Sequence, residues 1–196
     1  MGEIIKLSEL DETQVNQAFD VFVEGFYNVM SSISKDKKVL HKLFKDSFDY
    51  DMAYAYVQDG VAVGFLGVAT HIKRAVNFNR DAFIEILGGF AGKMVYRGVS
   101  SSMMKPNAKG PHEIYIDFIA TSPEHRSMGI GSKLIGFVRD ELGYKNIELE
   151  VFSKNPKAIK FYEREGFKAV EKKRDLLMRM QGFGYRIIMR WEAESK

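Results

Sequence analysis

The chain has no cysteine and, in 196 residues, only one tryptophan, four prolines and four histidines. The absence of thiols excludes disulfides, thiolate-held metals and an acyl-cysteine intermediate, which narrows the covalent chemistry open to the protein. His41, His71 and His125 stand at no metal-ligand spacing and His112 sits at a loop end, so no metal is expected. No apolar run approaches the about eighteen residues of a membrane span. Met1 to Leu10 has no apolar stretch followed by a small-residue cleavage site, so a soluble, cytoplasmic protein with no membrane partner is the expectation. An excess of charge of one sign is also missing. The net charge of +3 is too slight to argue for nucleic acid, and the basic residues at Lys168, Lys172, Lys173, Arg174 and Arg179 read as a solvated strand edge.

What is present is ordinary globular material, 45% hydrophobic and 28% charged, in a length that suits one domain with its own core. Its organising stretch runs from Tyr115 to Leu134. Apolar and β-branched residues from Ile114 to Ala120 predict a strand, Ser122-Pro123 stops it, and Ile130, Leu134, Ile135, Val138 and Leu142 then repeat at helical spacing. A helix therefore begins at Gly129 and Gly131. Its first turn leaves backbone N–H groups unpaired, and residues without side chains let an anion come close to them. A tight turn joining strand to helix would use the same two glycines. The spacing of Gly131-Ser132-Lys133 does not fit a Walker loop, and no third glycine stands near Leu134 as a dinucleotide fingerprint requires.

What remains, Arg126-x-x-Gly129-x-Gly131 after a strand, resembles the acyl-CoA pyrophosphate loop of the GNAT superfamily of N-acyltransferases. Downstream, Asn155, Ala158 and Tyr162 followed by Gly166-Phe167 resemble the family's second motif, with the strand-like Ile147 to Val151 between the two. The resemblance covers residues 113–175 well and the first seventy more loosely. It implies an α/β (α+β) fold: a mixed, largely antiparallel sheet with helices on both faces, whose parallel portion is the fourth and fifth strands.

The rest of the chain fits one N-acetyltransferase domain over residues 1–196, with no internal repeat or linker. Glu3 to Leu7 predicts a first strand, and Asp11 with Gln14 predicts a helix cap. The following stripe of Val15, Ala18, Phe19, Phe22, Phe26 and Val29 reads as core. A second helix carries Val39, Leu40, Leu43, Phe44 and Phe48, in the region that the resemblance assigns to the acceptor side of the cleft. Met52 to Val57 and Val61 to Ala69 predict a hairpin turning at Asp59-Gly60. An insertion, residues 71–112, then separates the third strand from the fourth. Asn79 caps a helix expected to present Phe83, Leu87, Phe90 and Met94 on one apolar face, and Ser100 to Pro111 reads as a loop. The insertion is expected to close over the acceptor end of the cleft, although a decorative surface helix fits equally well. Asn155 and Pro156 open a last predicted helix that Gly166 closes, before strands at Phe167 to Lys173 and Tyr185 to Trp191.

The resemblance also implies a site. The fourth and fifth strands part, and the pantetheine arm of CoA pairs with the backbone of Ile119, Ala120 and Thr121. Arg126, Ser127, Met128, Gly129, Gly131 and Ser132 hold the pyrophosphate, with Met128 standing where the family often has a basic residue. Asn155 bonds the cofactor arm, and Tyr162 serves as general acid toward the departing thiolate. Acetyl-CoA is the implied cosubstrate, and a small-molecule or peptide amine the implied acceptor, attacked on the thioester directly in a ternary complex. An alkyl ammonium must lose a proton first. Glu113, Tyr115 and Asp117 alternate onto one strand face, which makes Glu113 and Asp117 the candidate bases, and the same carboxylates equally suit solvated pairs with lysines. A homodimer is left open. The competing readings are a non-catalytic acyl-CoA-binding regulatory or scaffolding module, and a nucleotide-binding protein that would have no use for the second motif.

Overall fold

In a computed structural model, which describes residues 2–103, 108–174 and 176–193, the predicted strands assemble into one sheet. β1 (Glu3–Lys6), β2 (Ala53–Gln58), β3 (Val61–Ala69), β4 (Glu113–Thr121), β5 (Asn146–Phe152), β6 (Lys168–Lys173) and β7 (Arg186–Glu192) lie in the order β1-β2-β3-β4-β5-β7-β6. Every neighbouring pair is antiparallel except β4 and β5. The sheet is thus mixed and largely antiparallel, as expected. Asp59 and Gly60, at φ 52° and 79°, supply the left-handed turn that a tight β2–β3 hairpin needs.

Helices cover both faces. On one, α1 (Glu12–Met30) starts where the Asp11 carboxylate accepts the Gln14 N–H at 2.8 Å, and α2 (Lys37–Lys45) packs beside it. The aromatic stripe of α1 is core: the Phe22 ring lies 5.1 Å from that of Phe65 on β3 and 5.2 Å from that of Phe118 on β4. On the other face, α5 (Ile130–Asp140) and α6 (Pro156–Arg164) bury Leu134, Ile135, Val138 and Tyr162 against β3, β4 and β5. Among the described residues no helix is long and apolar enough to cross a membrane.

The insertion departs from expectation. It holds two helices, α3 (Arg80–Leu87) and α4 (Gly89–Met103), broken at Gly88. The break resets the helical phase. Phe83 is fully buried, but Phe90 and Met94 are 81% and 58% exposed, while Val95, Tyr96 and Val99 turn inward instead. The expected loop is also shorter, because α4 runs on through Met103, and residues 104–107 lie outside the described residues. Phe78 links the segment to the core through Phe44 and Phe83, with ring centres 5.9 and 5.5 Å away. A short helix between β6 and β7, α7 (Leu176–Met180), has no counterpart in the sequence-based expectation.

Candidate active site

The parallel strands pair only from Glu113 with Asn146 to Ile116 with Leu149, although β4 continues to Thr121 and β5 to Phe152. Beyond Ile116 the two part. A β-bulge helps: Ile116 and Phe118 face consecutive residues of β3, so Asp117 has no partner there. The extra residue reverses the alternation, sending Ile116 into the α5–α6 core and Phe118 and Ala120 into the α1 core. The opening is a cavity of about 520 Å³. Asp117 and Ile119 of β4, Glu150 and Phe152 of β5, and Asn155 and Tyr162 of α6 and its cap line it.

Helix α1 closes another side through Gly25, Phe26, Asn28 and Val29. It crosses β4 so closely that a Cβ on Gly25 would fall 2.6 Å from the Ala120 Cβ. The Ala120 side chain therefore meets α1. What β4 offers the gap is its backbone, since Ile119, Ala120 and Thr121 pair with β3 on the opposite edge only. Neither Ala120 nor Thr121 lines the cavity, and no residue of α2 does. The wall expected from the second helix comes from α1.

Tyr162 is 8% exposed, its ring 5.2 Å from Phe161 and 5.9 Å from Phe167. Its hydroxyl makes no hydrogen bond to the described residues. Burial pushes the phenol above its ordinary range, so it stays protonated at neutral pH. Asn155 caps α6 by accepting the Ala158 N–H at 3.1 Å. That bond uses its oxygen, and the amide nitrogen stays available to the cavity.

The glycine turn lies at the N-terminus of α5. Ser127 and Gly129 have φ of 65° and 78°, and the Lys133 N–H bonds back to the Gly129 carbonyl at 3.0 Å. Ile130, Gly131 and Ser132 are left presenting unpaired N–H groups, the electropositive end of the helix. Gly129 meets nothing within 4 Å and is glycine for its φ, whereas a Cβ on Gly131 would approach Phe161 of α6 to 3.0 Å. The Ser132 hydroxyl donates to Glu165 at 2.6 Å, leaving its N–H toward the loop. Arg126, Ser127 and Met128 are exposed, and Arg126 has no charged partner among the described residues.

The carboxylates separate. Glu113 sits outside the cavity, at the start of β4, where it accepts the Lys109 backbone N–H. Asp117 lines the cavity but is held at two points by Arg74, with Nε to Oδ2 at 3.1 Å and a second contact to Oδ1. The two side chains are 7% and 2% exposed. Burial pushes the Asp117 carboxyl up, and Arg74 pulls against it. Sequence reasoning missed Glu150. It stands on β5 just past the parting, 23% exposed, accepting Arg186 at 3.0 Å with Lys173 at 3.8 Å. The usable signal was the alternation of Glu148 and Glu150 with the apolar Ile147, Leu149 and Val151.

A mixed sheet that parts between its one parallel pair, with a helix N-terminus beside the gap, defines a GNAT-type acyltransferase fold. The sequence model of the Acetyltransferase (GNAT) family matches residues 19–167, and the chain belongs to that family. Among solved structures it is similar to a Pyrococcus horikoshii OT3 protein, 22% identical with a TM-score of 0.58 and full coverage of both chains. It is similar to the ribosomal-protein-S18-alanine N-acetyltransferase of Escherichia coli, 18% identical, TM-score 0.58, covering 100% of this chain and 96% of that one. An N-acetyltransferase from Staphylococcus aureus Mu50 is 16% identical with a TM-score of 0.61, covering 96% of this chain and all of that one. At these identities the likeness is one of fold. No curated protein matches by sequence. Family membership supports acetyltransferase activity and the use of an acyl-CoA cosubstrate.

Proposed function

We propose that the protein moves an acetyl group from acetyl-CoA to a primary amine by direct attack in a ternary complex, with Tyr162 as general acid. The observation that carries this reading is a buried phenol, kept protonated and without a protein partner among the described residues, lining the gap between β4 and β5. The residues present fit the cosubstrate. The open backbone edge from Asp117 to Thr121 suits an extended pantetheine arm, and the N–H groups of Ile130, Gly131 and Ser132, with Arg126 nearby, suit a pyrophosphate.

Acetyl-CoA supplies the thioester; this chain supplies position and proton transfer. The amine nitrogen attacks the carbonyl carbon, the carbon–sulfur bond breaks, and Tyr162 gives its proton to the sulfur. The amine's proton passes to a carboxylate at the cavity wall. Glu150, although paired with Arg186, is 23% exposed at the cavity wall and fits that role better than Glu113, which is outside the cavity, and better than Asp117, which is 2% exposed and held at both oxygens by Arg74. Acetylation of an alanine amine by the similar E. coli enzyme supports amines as the acceptor class.

The test is thiol release from acetyl-CoA in the presence of amines, polyamines, amino acids, aminoglycosides and peptides. Acceptor-dependent release is expected. Tight acetyl-CoA binding with no release for any acceptor would favour a regulatory or scaffolding module instead.

A further inference from the structure

The connection from β6 to β7 is clamped onto the end of β5. The Ser153 N–H donates to the Tyr185 carbonyl at 2.9 Å, the Tyr185 N–H donates to the Ser153 hydroxyl at 3.1 Å, and the Phe152 and Phe183 rings lie 5.1 Å apart. Gly184 makes this approach feasible, since a Cβ there would fall 2.2 Å from the Ser153 oxygen. Between the clamp and α7 lies a second recess, of about 750 Å³. Lys154, Arg174 and Arg179 line it beside Leu176 and Tyr185, and among the described residues no carboxylate does.

These three cations differ from those nearby. Lys173, Arg186 and Arg190 are each paired with Glu148 or Glu150. Lys154, Arg174 and Arg179 have no ion pair or side-chain hydrogen bond among the described residues. The recess also adjoins the main cavity, with Lys154 and Gly182 lining both. The main cavity thus presents the carboxylates Asp117 and Glu150, and the recess beside it presents the cations.

We infer that the recess is an acceptor subsite for an anionic group, so that the preferred acceptor is a primary amine carrying a carboxylate or phosphate. This rests on the amine-acetylation reading above. The amine end meets the carboxylates where the strands part, and the anion meets Arg174, Arg179 and Lys154, with Leu176 and Tyr185 flanking the spacer.

The experiment measures binding, which needs no turnover. The protein saturated with CoA is titrated calorimetrically with matched acceptors: the C-terminally amidated dipeptides Ala-Glu-amide and Ala-Gln-amide, and the small amines β-alanine and β-alaninamide. The anionic member should bind roughly three- to tenfold tighter, as expected for contacts with exposed cations. In the Arg174→Ala, Arg179→Ala double variant the ratio should fall to about one, and it should persist when both become lysine. The dipeptide and small-amine arms separate a peptide source from a free metabolite source. Equal affinities within each pair, or a ratio that survives the alanine substitutions, would overturn the subsite. Loss of CoA affinity in the double variant would overturn it too, by giving the recess to the cosubstrate. A binding preference without acetyl transfer to any amine would instead reject the catalytic reading and leave the subsite standing.

Discussion

Arg74 holds Asp117 at two points in an ion pair almost wholly removed from water, joining the segment after β3 to the bulge of β4 at the cavity wall. Removing one partner of such a pair leaves an uncompensated buried charge, costing about 3–5 kcal/mol, whereas replacing both with apolar groups costs far less. Arg74→Met should therefore lower unfolding stability by about 3 kcal/mol or more. The Arg74→Met, Asp117→Leu double variant should recover most of it. Urea unfolding of the four-member cycle measures the coupling. Additive losses would mean that the pair contributes nothing beyond its separate side chains.

A second expectation follows from Tyr162. An acid must be protonated to act, so a pKa raised by burial moves the alkaline, descending limb of the rate profile to higher pH. Because the ordinary phenol value is about 10 and this one lies above it, kcat should show no descending limb below about pH 10. Tyr162→Phe should preserve acetyl-CoA affinity and lower kcat roughly 10- to 1000-fold. A limb centred below pH 10 that disappears in the phenylalanine variant would mean that the phenol titrates in its ordinary range.

The base can be assigned by comparison. Glu150→Gln should reduce kcat by about a hundredfold or more, while Glu113→Gln, at a position outside the cavity, should change it less than about threefold. Steady-state rates on one acceptor, with acetyl-CoA saturating, decide it. Equal losses at both positions would count against a base at the parting of the strands.

Which of these features were legible beforehand follows from how local each one is. The glycine turn into α5, the Asn155-Pro156 start of α6 and the Asp59-Gly60 hairpin joining β2 and β3 are written in neighbouring residues, and each forms as expected. The Asp117 bulge is not local: it arises because β3 offers consecutive partners to Ile116 and Phe118. The Arg74–Asp117 pair joins positions brought together only by the completed sheet. Phe90 and Met94 share a helical spacing with Phe83, but the break at Gly88 ends the helix that would have placed them on its face. Helix α7 spans only Leu176–Met180, too short for a periodic signal.

The tightest packing at the site yields the last expectation. Gly25 of α1 lies against Ala120 of β4, and the α1 residues around Gly25 form one wall of the cavity. In an isolated helix Gly25→Ala would stabilise by about 1 kcal/mol through backbone propensity. Here the new methyl would stand 2.6 Å from the Ala120 Cβ, a separation that forces α1 away from β4. Overpacking of this kind costs about 1–3 kcal/mol, so it should outweigh the propensity gain and produce a net loss of stability. Displacing α1 also moves Phe26 and Val29, so the Michaelis constant for the amine should rise by several-fold, about the scale of a lost apolar contact. Ala120→Gly removes the opposing methyl. Combined with Gly25→Ala it should restore the helix position and with it the amine Michaelis constant, although stability returns only in part because glycine weakens the strand. Failure of the second change to rescue amine binding would show that Gly25 matters through its own backbone rather than through its contact with Ala120.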